Sequence, residues 1–197
     1  MRADAVPFIS NTFMIKDIWN DIRPKGQKAT WHKLIWFPMH IPKHSLIVWM
    51  ALQDRLPTRD RLQRMGISID SVCVICNSLQ ETRNHLFSKC SIAACLWNSI
   101  LNLNGMNPTN LAWEETVATA INSWKGKSLL TFILKIAWSA FIYTVWQERN
   151  QRIFQKRSRS AENLLNEIID VVRFSLRGKN FNRLDSTNLN LCNVWGL

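Results

Sequence analysis

Three cysteines and one histidine lie within 18 residues of this chain, in the pattern C-x2-C-x8-H-x4-C. They are Cys73, Cys76, His85 and Cys90. Three thiolates and one imidazole suit a tetrahedral zinc ion, and four protein ligands leave no position open for water or substrate. The pattern therefore predicts one structural zinc ion that staples the fold. The alternative is four residues of an ordinary reduced core, in which buried cysteines pack as small apolar side chains.

The spacing of the last two ligands adds a geometric demand. On a continuous helix the side chains of His85 and Cys90 would point about 140° apart, because each residue turns the helix by about 100°. We therefore expect the chain to turn between them, near Ser88 and Lys89. Cys73 and Cys76 would complete the tetrahedron from a tight knuckle on the opposite side.

Composition sets the class of protein and its compartment. Hydrophobic residues make up 47% of the 197-residue chain, and ten tryptophans supply material for a core, in which we expect most of them to pack. Three of the five cysteines are explained by metal, and the N-terminal residues lack the apolar stretch of a secretory signal. An intracellular protein of the nucleus or cytoplasm is expected, not a secreted one.

Net charge favours an anionic partner. The formal charge is +11 and the isoelectric point is near 9.9, which favours nucleic acid, DNA or RNA, over an anionic membrane. Residues 1–70 carry 11 Lys and Arg against six Asp and Glu, and residues 151–197 carry eight against four. Because the zinc segment is nearly neutral, phosphate contacts are expected from the flanking helices.

Two basic clusters are candidate nucleic-acid contacts. The first has offsets of 3, 7 and 10 residues and would cover about 80° of one helical face at about 100° per residue. It consists of Arg149, Arg152, Lys156 and Arg159. A solvated helix end is the alternative. The second cluster, around Arg55 and Arg59, is diluted by neighbouring aspartates.

Helical spacing of apolar residues, with six glycines and six prolines, predicts a mainly α protein. The expected fold is an irregular helical domain stapled by one Cys3His knuckle (residues 10–105), a helical extension (106–178) and a loose polar tail (179–197). Helices are expected over 11–22, from Pro42 to Pro57, from Thr58 to Gly66, over 92–101, 110–124 and 129–146, and after a Ser160 cap.

Residues 129–146 are nearly uncharged, which raises a membrane-spanning alternative. Lys135 in the middle of this run, together with Thr131, Ser139 and Thr144, favours a buried central helix instead, with no membrane partner. Cys95 lies beside Leu96 and is expected to be a buried thiol, while Cys192 in the tail is expected to have no role.

Several local patterns occur together in one order along residues 10–175. They are W31-x-x-x-I-W36, I41-P-K-H44, W49-M-A-L-x-x-R-L-P-T58, C73-V-x-C76, E81-T-x-x-H85-L-F, C90, W97 and W146-Q-E-R-N-Q-R-I-F154. The chain resembles the zinc-binding reverse-transcriptase domain (zf-RVT) of plant LINE-type (non-LTR) retrotransposons and proteins derived from them. The resemblance implies metal binding by Cys73, Cys76, His85 and Cys90, and nucleic-acid binding during element replication.

Catalysis is not expected. The chain lacks a Tyr/Phe-x-Asp-Asp motif, and its fourteen acidic residues are dispersed, whereas two-metal nucleotidyl transfer needs clustered carboxylates. The segment after Phe154 is also too short for a ribonuclease H domain. The sequence therefore predicts a non-catalytic zinc-binding domain of retrotransposon origin that binds nucleic acid. The alternatives are a protein-interaction module, with a retroelement or host protein as partner, and an inactive retroelement remnant.

Overall fold

The computed structural model describes residues 27–179, 181 and 186–197, and this part of the chain is mainly helical. The helix expected over 11–22 lies outside the described residues. The α-helices are α1 (His32–Ile35), α2 (Pro42–Leu52), α3 (Arg59–Arg64), α4 (Ser91–Leu103), α5 (Trp113–Ser123), α6 (Leu129–Asn150), α7 (Ala161–Leu176) and α8 (Ser186–Trp195). Two π-helical turns, His85–Lys89 and Gln151–Gln155, precede α4 and follow α6. Within these residues no strand forms, and Val72 and Gln80 make one isolated antiparallel bridge.

Helix α6 is the central element. Ser128 caps its N-terminus by accepting a hydrogen bond from the Thr131 N–H at 3.2 Å. A helix that is apolar on every side must be surrounded either by protein or by lipid. By length and composition α6 with its π turn could cross a membrane, but 89% of its most apolar 18-residue window is buried inside the protein. The predicted buried central helix is confirmed.

The other helices pack around α6. Helices α1, α2, α4, α7 and α8 all contact it, and α7 also contacts α4. A single cluster of buried side chains runs from Leu34 in α1 to Trp195 in α8. Trp97, Trp113 and Trp138 belong to it, as predicted for most of the tryptophans. Residues on both sides of position 105 therefore share one core.

The C-terminal residues correct one prediction. Residues 186–195, expected to be loose, form α8, and Trp195 is fully buried with its Nε1 donating to Asn104 Oδ1 at 3.3 Å. Cys192 is buried beside it, so it has a packing role. This segment is ordered because it has a short apolar face that packs against the core. The face consists of Leu191, Cys192 and Trp195, which share one side of the helix because they are one to four residues apart.

Smaller corrections concern positions and bounds. Cys95, expected to be buried, is exposed, because it lies on the outer face of α4. Helix α2 ends at Leu52, before the predicted Pro57, and Asp54 follows with a left-handed φ of 49°. The Ser160 cap of α7 is confirmed, with Asn163 N–H donating to its hydroxyl at 3.2 Å.

Candidate metal centre

The first half of the site is a tight knuckle at Cys73 and Cys76. The Cys73 N–H donates to the Leu79 carbonyl, and the Asn77 N–H donates to the Cys73 carbonyl, each at 2.8 Å. Asn77 has a left-handed φ of 52°, a conformation that asparagine tolerates better than most residues. The chain reverses there, so both thiols of the knuckle face the same side.

The second half is the π-helical turn His85–Lys89. The Cys90 N–H donates to the His85 carbonyl at 2.7 Å, a five-residue closure that is wider than an α-helical turn. Cys90 itself is extended, and α4 begins at Ser91. The predicted change of direction between His85 and Cys90 is confirmed, and it brings their side chains to one place.

The four ligand atoms converge. One ligand atom from each of Cys73, Cys76, His85 and Cys90 lies within 4.8 Å of the other three, and Cys76 Sγ is 3.2 Å from His85 Nε2. Tetrahedral zinc, with Zn–S near 2.3 Å and Zn–N near 2.0 Å, places neighbouring ligand atoms about 3.5–3.8 Å apart. Cys73 and Cys90 are fully buried, and His85 is nearly so. The residues fit a zinc ion with four protein ligands.

The protonation chemistry of the four side chains also fits a metal site. A hydrogen bond between the thiol groups of Cys73 and Cys90, followed by burial, raises the pKa of Cys73. The same hydrogen bond lowers the pKa of Cys90. Burial lowers the pKa of His85, which favours the neutral imidazole that a metal requires. The two hydrogen-bonded sulfurs are therefore placed where a cation would hold both as thiolates.

Arg152 connects this site to the central helix. Its Nη1 donates to the Ile75 carbonyl at 2.9 Å and the Val74 carbonyl at 3.3 Å, inside the knuckle, and its Nε donates to Glu148 Oε1 at 2.7 Å. Arg159 binds the other oxygen of Glu148 at 2.9 Å. Burial alone would raise the pKa of the fully buried Glu148, but the hydrogen bonds from Arg159 and Arg152 outweigh it and lower that pKa.

A second buried carboxylate is bound by Arg149. The Arg149 Nη2 lies 2.8 Å from Glu81 Oε1 and 3.2 Å from the Pro57 carbonyl. The Arg59 N–H donates to the same Glu81 oxygen at 3.0 Å. Glu81 immediately precedes the segment that carries His85. The pair therefore ties α6 to both the zinc segment and the start of α3.

The predicted basic face of Arg149, Arg152, Lys156 and Arg159 is wrong as a single exposed helical surface. Arg149 is 2% exposed, and the other two arginines bind Glu148. The reason is that two buried carboxylates, Glu81 and Glu148, bind the three arginines. The regular helix also ends before Lys156, in the π turn Gln151–Gln155, after which Lys156 adopts a left-handed φ of 56°. Of the four, only Lys156 is exposed.

The second basic cluster divides in the same way. Arg59 lies 3.1 Å from Asp70 and donates to the Val72 carbonyl at 2.6 Å, so it supports the strand-like segment that leads into the knuckle. Arg55 is exposed and stacks over the Trp49 ring, 5.4 Å from its centroid.

Sequence reasoning missed Glu81 and Glu148 as partners of these arginines. Both lie in the patterns that carry the family resemblance, E81-T-x-x-H85 and Q-E148-R149-N. The sequence alone, however, does not distinguish a buried glutamate from an exposed one. One of these ion pairs could have been predicted from the sequence, because Glu148 and Arg152 have the i, i+4 spacing of a helical ion pair.

Comparisons with known proteins identify the same segment. Residues 13–97 match the zf-RVT family, described as zinc-binding in reverse transcriptase. An uncharacterized mitochondrial protein of Arabidopsis thaliana is 28% identical over 101 residues, which cover 49% of this chain and 71% of that protein. No solved structure gives a significant match. The matched segment contains all four candidate ligands.

Proposed function

We propose that this chain, of which residues 13–97 match the zf-RVT family, is a non-catalytic zinc-binding domain of retrotransposon origin that binds nucleic acid. The observation that carries this proposal is the closed Cys3His site, in which four protein ligands lie within 4.8 Å of one another. Such a site contributes folding free energy and leaves no position for a reacting water. The zinc ion would hold the knuckle against the π turn, while other residues contact the partner.

The placement of carboxylates supports a non-catalytic role. Two-metal nucleotidyl transfer requires acidic side chains free to chelate metal ions. In the part of the chain that the structure describes, the Cys3His group is the only group of at least three His, Cys, Asp or Glu residues able to hold a metal ion. Glu81 and Glu148 are occupied by arginines.

Binding to nucleic acid is supported by charge. A formal charge of +11 attracts phosphates at long range, and the buried arginines leave this task to exposed basic side chains. Those in the described residues include Lys33, Arg55, Lys125, Lys127, Lys156 and Arg157. A reducing compartment, nucleus or cytoplasm, is part of the proposal because zinc thiolates need reduced cysteines. The mitochondrial description of the Arabidopsis relative adds the mitochondrion as a third candidate.

A titration of zinc-loaded protein against labelled DNA and RNA at several salt concentrations tests the proposal. We expect log K to fall linearly with log salt, because phosphate binding releases counterions. A protein-interaction module would show no such binding, and an apolar interface with a protein partner would respond little to salt. Absence of nucleic-acid binding at low salt would contradict the proposal.

A further inference from the structure

An open cavity of about 700 Å³ lies between α1, the C-terminal end of α5 and the N-terminal half of α6. Four aromatic side chains contribute to its walls: Trp36, Phe37, Trp124 and Phe132. Three of them are nearly buried, whereas Trp36 is 40% exposed at the rim. Most other tryptophans of the described residues pack in the core, whereas Trp36 leaves part of its indole free to contact a ligand in the cavity.

The cavity is also strongly basic. Lys33, Lys125, Lys127 and Lys135 line it, and no carboxylate is among its lining residues in the described part of the chain. By contrast, the arginines packed around the zinc segment, Arg59, Arg149 and Arg152, each bind a carboxylate and a carbonyl. This combination of flat apolar walls and uncompensated positive charge suits a ligand that is both planar and anionic.

Lys135 is the lysine of this cavity with the strongest need for an anionic partner. Its side chain is 7% exposed, and its Nζ donates to the Lys33 carbonyl at 3.1 Å and lies 5.7 Å from the centroid of the Phe37 ring. It makes no ion pair with any described carboxylate. A buried ammonium group without a counterion is costly. An anion bound in the cavity would supply that counterion.

We propose that this cavity binds one nucleotide of a single-stranded nucleic acid, with the base against Trp36 and Trp124 and its phosphate at Lys33 and Lys135. The inference rests on the proposed nucleic-acid function and assigns it a place. A single strand is favoured over a duplex because only an unpaired base can leave the stack and lie against an aromatic wall. Lys125 and Lys127, both exposed, lie where neighbouring phosphates of the strand can reach them.

Fluorescence anisotropy with a labelled 12-nucleotide oligouridine and the full, zinc-loaded chain tests the assignment. We expect Trp36→Ala to weaken binding about tenfold with an unchanged salt slope, since stacking carries no counterion release. Lys33→Glu should weaken binding at least as much and make the log–log salt slope shallower by about 0.7 or more. Lys135→Met should also weaken binding and make the salt slope shallower. This variant removes a buried charge and introduces no new one.

Two surface substitutions away from the cavity are matched controls. Lys156→Glu makes the same charge change as Lys33→Glu, and Phe174→Ala removes an aromatic ring that is 71% exposed. If the cavity holds the strand, Phe174→Ala should leave affinity within about twofold, and Lys156→Glu should weaken binding less than Lys33→Glu does, because its charge acts only at long range. A duplex of the same length should bind more weakly than the strand.

The outcomes separate the two proposals. If the wild type binds oligouridine but Trp36→Ala and Lys33→Glu bind equally well, the cavity has another occupant, such as a further part of the chain or a protein, and the assignment is overturned while the nucleic-acid function stands. If the wild type binds neither single strands nor duplexes at low salt, both proposals fail.

Discussion

Arg149 shows how a single residue changes role when the fold is known. In the sequence it belongs to a run of cations, but in the structure its guanidinium lies against Glu81, with side chains that are 3% and 0% exposed. Removing one partner of such a pair leaves a buried charge without compensation. Arg149 is therefore a structural residue, whose charge serves the fold by compensating the buried Glu81 carboxylate.

We predict that Arg149→Met destabilises the protein by about 3–5 kcal/mol, because Glu81 would remain buried without its main partner. The matched control is Arg64→Met, which removes an arginine whose side chain is 60% exposed beside Asp60. The control should cost at most about 1 kcal/mol. Urea denaturation monitored by circular dichroism measures both, and equal stabilities of the two variants would refute the structural role of Arg149.

His44 makes stability depend on pH. Its ring is 2% exposed and stacks on Tyr143 at 4.3 Å, and burial, followed by the charge of Lys43, lowers its pKa from 6.5 to about 4. As pH falls below 6.5, the unfolded chain binds this proton before the folded one does. Stability is therefore fully present above pH 6.5 and falls between pH 6.5 and about 4, by about 2–3 kcal/mol.

The measurement is the free energy of unfolding across this pH range for the wild type and for His44→Gln, with His32→Gln as the control. His44→Gln should flatten the curve between pH 6.5 and 4, and His32→Gln should keep its slope. A wild-type slope that persists in His44→Gln would mean that another group governs the acid response.

At the scale of elements, the two π-helical turns position the functional groups. The turn His85–Lys89 aligns His85 with Cys90, and the turn Gln151–Gln155 directs Arg152 toward the knuckle carbonyls. Neither turn can be predicted from the spacing of apolar residues. A π turn adds one residue to a helical turn, and this change cannot be recognised in a segment of only five residues. A change of direction at the first turn was predicted because His85 and Cys90 must both point at one metal ion. No such requirement applied to the second turn, so it was not predicted.

We predict that Arg152→Met accelerates zinc release to a chelator by about tenfold, since groups that support a metal site commonly contribute this much to affinity. The variant removes two hydrogen bonds to the peptide groups between Cys73 and Cys76. Arg157→Met, an exposed arginine five residues away, is the control and should release zinc at the wild-type rate. Identical release by both variants would show that the knuckle holds its shape without Arg152.

At the scale of the whole molecule, the sequence predicted the class of fold, the buried central helix and the Cys3His cluster that can hold a metal ion. Those predictions rest on signals carried by residue type and spacing: a long apolar run and a cysteine–histidine pattern. It did not predict that α8 docks through Trp195, or that Glu81 and Glu148 hold the arginines, because those facts depend on which surfaces meet after the helices pack. The local spacing of apolar residues does not indicate which residues distant in sequence will contact each other in the fold.

The central claim is that one zinc ion is bound by three thiolates and one imidazole with no open position. X-ray absorption spectroscopy at the zinc edge, on purified protein with its metal content determined, tests it most directly. We predict about one zinc per chain, with three sulfur ligands near 2.3 Å and one nitrogen near 2.0 Å, and loss of the metal in the double variant Cys73→Ser, Cys76→Ser but not in Cys95→Ser. An oxygen ligand in place of one sulfur, or a zinc content near zero in the wild type, would contradict the account.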